Sequence, residues 1–155
     1  MMILRQREGP EIELQVLGYE FSQGATDWHD LNWLKILVRV NTVGASWTGG
    51  PDPCLLTTEA RELVAWLRTA AVEHPVPPLA FIEPGLSFAV AREPGEGRIP
   101  VAVTLRHAFV RNQPLVSGQP DKLPFLLYVD PEVLSTAASD LEADLLRYPV
   151  RETTP

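Results

Sequence analysis

The chain has 155 residues, a length at which one domain buries most of the surface that it would expose when unfolded. Hydrophobic residues make up 45% of it and charged residues 21%, which excludes an intrinsically disordered or fibrous protein. Thirteen basic and twenty acidic residues give a net charge of −7, so the mean field repels phosphate backbones and anionic lipid heads and argues against nucleic acid or a membrane as a direct partner. The same field would speed encounter with a basic protein, although negative charge taken alone most often serves solubility.

Cysteine usage and the amino terminus indicate the compartment. Cys54 is the single cysteine, which excludes an intrachain disulfide and a zinc site built from several thiolates. No run approaches about 18 uninterrupted apolar residues, the length of a membrane span, and the first residues, MMILRQREGPEIE, carry charges where a signal peptide is apolar. We therefore expect a cytoplasmic protein.

The first third of the chain is dominated by strand patterns. Residues 11–16 and 34–41 alternate between apolar and polar side chains, as half-buried strands do. The segment between them, residues 21–32, has no period and is predicted to be a loop. Residues 43–48, VGASWT, indicate a turn into a short returning strand.

Two helices are predicted from their starts and their 3.6-residue period. The first begins at Thr57-Thr58-Glu59, an N-cap candidate followed by an acid in the first turn, and ends before Pro75. The second begins at Asp130-Pro131, where the aspartate can cap and the proline needs no N–H, and buries a stripe from Leu134 to Leu145.

Further strands lie between the two helices. Residues 79–82 and 86–91 are short strand candidates, and a turn at 94–97 leads into the alternating strand 99–106. Residues 112–121 are predicted as loop, and residues 123–129 as an apolar strand covered on both faces.

These elements favour an α+β fold in which an antiparallel or mixed β-sheet of about six to seven strands carries two helices packed on it. Residues 1–148 are expected to form a single globular α+β domain, and residues 149–155 a flexible C-terminal tail.

No catalytic, metal or cofactor site is predicted. The densest polar cluster is Asp27-Trp28-His29-Asp30, whose carboxylates and imidazole could serve acid–base chemistry or one metal, but neighbours in a loop rarely converge on one point. Ser87 lacks the glycine-rich elbow of a hydrolase nucleophile, and Cys54 is expected to be buried and structural. Glu83, before Pro84, is expected to accept hydrogen bonds from turn N–H groups.

Three segments read together resemble the WapI-like immunity proteins of bacterial contact-dependent toxin systems. They are residues 17–21 (LGYEF) leading to 30–34 (DLNWL), residues 52–57 (DPCLLT) and residues 81–88 (FIEPGLSF). Order and spacing match over about residues 11 to 106, and family members often have Asn where this chain has Gly85. The resemblance implies a cytoplasmic protein that binds and neutralises a cognate toxin domain, in the type example a nuclease that attacks transfer RNA.

Charge agrees with that implication, because a nuclease exposes a basic surface that an acidic inhibitor can cover. We predict two contact regions: the outer face of the last helix and the cluster that begins at residue 27, in which the tryptophan would be the aromatic anchor. Their residues are Glu132, Asp140 and Glu142, and Asp27, Trp28 and Asp30.

Two other classes of function stay open at this point. One is a non-catalytic regulatory or assembly subunit that binds another protein through a sheet edge or an apolar patch. The other is a small hydrolase in which Asp27, His29, Glu83 or Ser87 would converge in a pocket.

Overall fold

The computed structural model describes residues 1–21, 24–91 and 97–153, and most of the predicted turn at 94–97 lies outside this range. Within these residues, eight strands form two antiparallel sheets of four. The first contains β1 (Met2–Arg5), β2 (Glu11–Tyr19), β3 (Trp33–Thr42) and β4 (Ala45–Leu56), and the second contains β5 (Leu79–Ala80), β6 (Leu86–Val90), β7 (Ile99–Arg106) and β8 (Lys122–Val129). The helices are α1 (Trp28–Asn32), α2 (Thr57–Val72) and α3 (Pro131–Leu145), and a 3-10 turn spans His107–Phe109.

The α+β class and the antiparallel pairing are confirmed, but the prediction of one sheet of about six to seven strands with two helices was wrong. Each sheet is a meander of consecutive strands, and α2 carries the chain from the first sheet to the second. The sequence pattern identifies strands one at a time and contains no signal that α2 separates two sheets. The third helix, α1, has only five residues and lies where residues 21–32 were predicted as a loop.

The two sheets adjoin at their edges. The edge strands β1 and β8 are neighbours, and Gln6 Oε1, after β1, accepts a hydrogen bond from the Tyr128 N–H at 3.0 Å. At the other edge of the first sheet, Trp47 Nε1 of β4 donates to the carbonyl of Phe109, in the 3-10 turn after β7, at 3.1 Å. The chain passes so close here that a Cβ on Gly49 would lie 2.6 Å from Phe109 Cα, which explains the glycine.

One hydrophobic cluster contains the buried side chains of both sheets and of α2 and α3. The helices pack on each other, α3 also contacts β1, and α2 contacts β4. Strand β8 is covered on one face only, since Leu126 and Tyr128 are 44% and 40% exposed while Leu127 is buried, so the prediction of cover on both faces was wrong.

Local corrections concern β4 and the helix starts. The returning strand predicted at 43–48 is twelve residues long and continues through Asp52 and Pro53 to the start of α2. Thr57 is the first residue of α2 and not its N-cap, because Leu56 holds that position. Asp130 is the N-cap residue of α3, yet its carboxylate makes no capping bond and pairs with Arg7 at 2.9 Å.

Among the described residues, none of the helices combines the length and hydropathy that a bilayer crossing requires.

Candidate functional site

The three segments that carry the family resemblance meet at one depression of about 350 Å³ on the protein surface. Its lining comes from the residues that follow β2, the junction of α1 with β3, β4, and the turn between β5 and β6. We call it the acidic depression, and its lining residues are Glu20, Phe21, Asp30, Trp33, Asp52, Pro53 and Glu83.

The depression combines negative charge with aromatic surface. Four of its lining residues are carboxylates and none is basic. Within residues 1–21, 24–91 and 97–153, none of these four acids forms an ion pair. Phe21 is 46% exposed, and Trp33 is half-buried. The clustered carboxylates give a local negative potential. The apolar surface beside them would favour binding when a partner buries it.

A bulge and one backbone hydrogen bond bring the first two segments together. The pairing of β2 with β3 shifts register between Val16 and Gly18. Gly18 has a φ of +146°, an angle that residues with a side chain rarely adopt. A bulge redirects the strand that carries it. Beyond it, the Glu20 N–H donates to the Trp33 carbonyl at 2.8 Å, so that Glu20 and Trp33 stay adjacent.

Asp27 creates the short helix that places Asp30. Its Oδ1 accepts hydrogen bonds from the N–H groups of His29 at 2.9 Å and Asp30 at 3.2 Å, the geometry of an N-cap. The carboxylate of Asp27 is therefore engaged locally, and Trp28 packs edge-to-face on His29 with ring centroids 5.3 Å apart. Of the three residues predicted in this region, Asp30 alone lines the acidic depression.

Glu59 holds the turn that carries Glu83. Glu59 is only 6% exposed, and its two carboxylate oxygens accept hydrogen bonds from the Leu56 N–H at 3.0 Å and the Ile82 N–H at 2.8 Å. It thereby joins the start of α2 to the turn between β5 and β6. The sequence predicted that Glu83 accepts hydrogen bonds from the N–H groups of this turn, but the Ile82 N–H donates to Glu59 instead. Glu83 stays exposed in the depression.

Cys54 lies beneath the depression and is fully buried, as predicted. Burial raises the pKa of its thiol well above the ordinary value, and the negative charges of Asp52, Glu59 and Glu83 raise this pKa further. A neutral, inaccessible thiol is a packing group and a poor nucleophile.

The residues of the hydrolase hypothesis lie on different elements. Asp27, the N-cap of α1, and His29 within α1 are exposed, with Oδ1 and Nδ1 3.7 Å apart, while Ser87 lies in β6 opposite Ala80 and Thr104. Among the described residues, no hydrogen bond joins Ser87 to a histidine or a carboxylate, and no three His, Cys, Asp or Glu side chains have a metal-binding arrangement.

The acids on the outer face of α3 have basic neighbours that the sequence of this helix does not show. Arg68 of α2 makes two hydrogen bonds to Glu142, at 2.8 and 2.9 Å, and this guanidinium holds the pKa of Glu142 below its ordinary value. Glu132 and Asp140 line a shallow groove with Arg5 of β1. Basic groups from other elements therefore lie among the acids of this face, which a single-helix pattern cannot reveal.

Sequence reasoning missed Glu20, Phe21 and Asp52 as surface residues of one site. Their signal was present, because they lie in the segments that carry the resemblance. Only the assembled fold brings positions so distant in sequence to one place.

A family model described as the immunity protein WapI-like family matches residues 2–149, nearly the whole chain. The same comparisons find neither a curated protein nor a solved structure that matches.

Proposed function

Because the chain belongs to the WapI-like immunity protein family, we propose that it binds and neutralises a cognate bacterial toxin domain in the cytoplasm, and that it does so without catalysis. The acidic depression is the proposed contact surface, and a basic nuclease is the proposed class of toxin.

The observation that carries this proposal is the meeting of the family segments at a depression lined by carboxylates without ion pairs among the described residues and by exposed aromatic surface. A nuclease needs basic side chains to hold phosphates, and an acidic inhibitor can occupy them in place of the substrate. Phe21 and Trp33 would supply the apolar contact that such an interface needs at its centre.

Charge should act mainly on the rate of encounter. Electrostatic steering raises association rates by roughly 10-fold to 1,000-fold at low ionic strength, and it weakens as the Debye length falls to about 8 Å at physiological salt. We therefore expect toxin association to slow steeply with added salt, with a weaker effect on dissociation.

The outer face of the second sheet supports a second candidate, a regulatory or assembly subunit. Leu126 and Tyr128 of β8 are exposed there, and their cross-strand neighbours Ala102 and Pro100 are uncharged. Binding through this face would depend little on salt and would be lost when Leu126 is replaced by a charged residue.

The first test is co-expression with the toxin domain encoded beside this chain. We expect rescue of growth and a complex that survives purification. Loss of both, with the toxin domain folded and active alone, would contradict the proposed function.

Two charge-matched double variants locate the surface. Asp52→Asn with Glu83→Gln and Glu132→Gln with Asp140→Asn each remove two negative charges, so both change the net charge from −7 to −5. We expect the first pair to lower the association rate constant about 10-fold at low salt and the second to have a much smaller effect. Equal effects would show that only net charge matters.

A further inference from the structure

The carboxyl-terminal segment does not leave the protein at the end of α3 but returns to the elements that line the acidic depression. Arg61 of α2 donates to the carbonyls of Leu145 at 3.4 Å and Tyr148 at 3.2 Å, which directs the chain across the start of α2. The Tyr19 hydroxyl then donates to the Pro149 carbonyl. The last of these contacts lies in the segment predicted as a flexible tail from residue 149.

Asn32 binds the backbone of Arg151 as a neighbouring strand would. Its Oδ1 accepts from the Arg151 N–H at 2.9 Å, and its Nδ2 donates to the Arg151 carbonyl at 2.8 Å. The same buried carboxamide also accepts from Thr57 Oγ1 and donates to the Trp28 carbonyl, each at 2.8 Å. The end of α1, the start of α2 and residue 151 are thus joined at one side chain.

The Arg151 side chain reaches the end of β2 and Phe21, which lines the depression. Its guanidinium carbon lies 3.3 Å from the centroid of the Tyr19 ring, and Nη1 donates to the Phe21 carbonyl at 3.1 Å. A planar guanidinium can stack on a ring and donate in its own plane at once, which lysine cannot do. Arg151 therefore connects the segment of Phe21 to α1, which carries Asp30.

We propose that Arg151 is a positioning residue that holds the Phe21 and Asp30 edges of the acidic depression in the geometry that binds the toxin. The proposal rests on the proposed function. Arg151 lies just beyond residues 2–149, the range that the family model matches. An edge fixed before binding loses less conformational freedom in the complex, which lengthens the life of the complex.

The direction in which Arg151→Ala changes toxin affinity distinguishes a positioning role of Arg151 from a purely electrostatic one. Arg151→Ala removes a positive charge beside the depression, so Coulomb attraction alone predicts equal or faster association with a basic toxin and equal or tighter binding. Positioning predicts the opposite change in affinity, through a dissociation rate constant that rises roughly 10-fold.

Arg147→Ala is the matched control. Arg147 lies in the same segment, but its side chain pairs with Asp144 at 3.2 Å and approaches the Tyr148 ring, whereas that of Arg151 contacts Tyr19 and Phe21. Both variants have a net charge of −8, one less than −7. We expect Arg147→Ala to leave the dissociation rate constant unchanged, and Arg151→Lys, which keeps the charge and the backbone bonds to Asn32, to restore only part of the loss.

Two readouts complete the experiment. In stopped-flow binding to the toxin domain, faster dissociation for Arg151→Ala than for Arg147→Ala supports the proposal, and equal or slower dissociation overturns it. In the free protein, amide resonances of Phe21 and Asp30 should shift or broaden in Arg151→Ala while the melting temperature falls by about 4 °C or less. Unchanged resonances would overturn the proposal even if the wild-type chain bound no toxin, so its failure is distinct from failure of the proposed function.

Discussion

Replacing Glu59 with glutamine tests how the turn carrying Glu83 is held. In the wild type, one carboxylate oxygen accepts from the Leu56 N–H and the other from the Ile82 N–H, and the side chain is buried. Glutamine has nearly the same shape but only one acceptor oxygen, so its amide NH₂ must face one of the two N–H groups.

The expected cost follows from those two bonds. Hydrogen bonds to a charged group contribute about 1.5 to 3 kcal/mol each, and a neutral one about 0.5 to 1.5 kcal/mol. Glu59→Gln weakens one bond, removes the other and leaves a donor unsatisfied, while the lower cost of burying a neutral side chain offsets part of the loss. We expect the free energy of unfolding to fall by about 2 to 3 kcal/mol.

Urea unfolding followed by circular dichroism measures this change, and hydrogen exchange at Ile82 locates it. The control is Glu62→Gln, which removes the same charge from an exposed position of the same helix and should change stability by less than about 0.5 kcal/mol. Equal stabilities of the two variants, with the Ile82 amide still protected in Glu59→Gln, would refute the assignment of Glu59 as the anchor of the turn.

Two further predictions concern Cys54 and Gly49. Because the folded-state pKa of Cys54 is raised, the folded chain keeps the thiol protonated at pH values where the unfolded chain loses the proton. The contribution of this thiol to stability is therefore complete below the unfolded pKa of about 8.5. Above that pH, the free energy of unfolding declines by up to about 1.4 kcal/mol per pH unit. Urea unfolding between neutral and alkaline pH should show this decline in the wild type relative to Cys54→Ala, and parallel curves would contradict it. Gly49→Ala should destabilise the protein by about 3 kcal/mol or more, because the new Cβ would lie 2.6 Å from the backbone Cα of Phe109. Gly24→Ala is the control because open space surrounds Gly24, and equal melting temperatures of the two variants would show that β4 and the 3-10 turn can move apart.

Periodicity located most of the elements, because each depends on residues close in sequence. The alternation at 11–16 and 34–41 lies in β2 and β3, and the stripe from Leu134 to Leu145 is the buried face of α3. What periodicity cannot give is the partner of each strand, so the two meanders were read as one sheet. The short helix α1 depends on one capping carboxylate, too local a signal for a helical period.

The candidate site was harder to predict than the fold for the same physical reason. Asp30 was identified from its own neighbourhood, but Glu20, Asp52 and Glu83 join it only through a bulge, a long strand and a buried glutamate. Conversely, the acids of α3 looked unopposed because Arg68 comes from another helix. Surface charge is a property of the folded assembly, and one element's pattern gives only part of it.

Carboxyl footprinting of the toxin complex tests most directly whether the acidic depression is the contact surface. Carbodiimide labelling with mass spectrometry reports how accessible each acid is in the free chain and in the complex. We expect labelling of Glu20, Asp52 and Glu83 to fall several-fold on binding, while Glu132 and Asp140 stay as reactive as before. Unchanged labelling at the first three, with protection confined to the outer face of α3, would contradict the account.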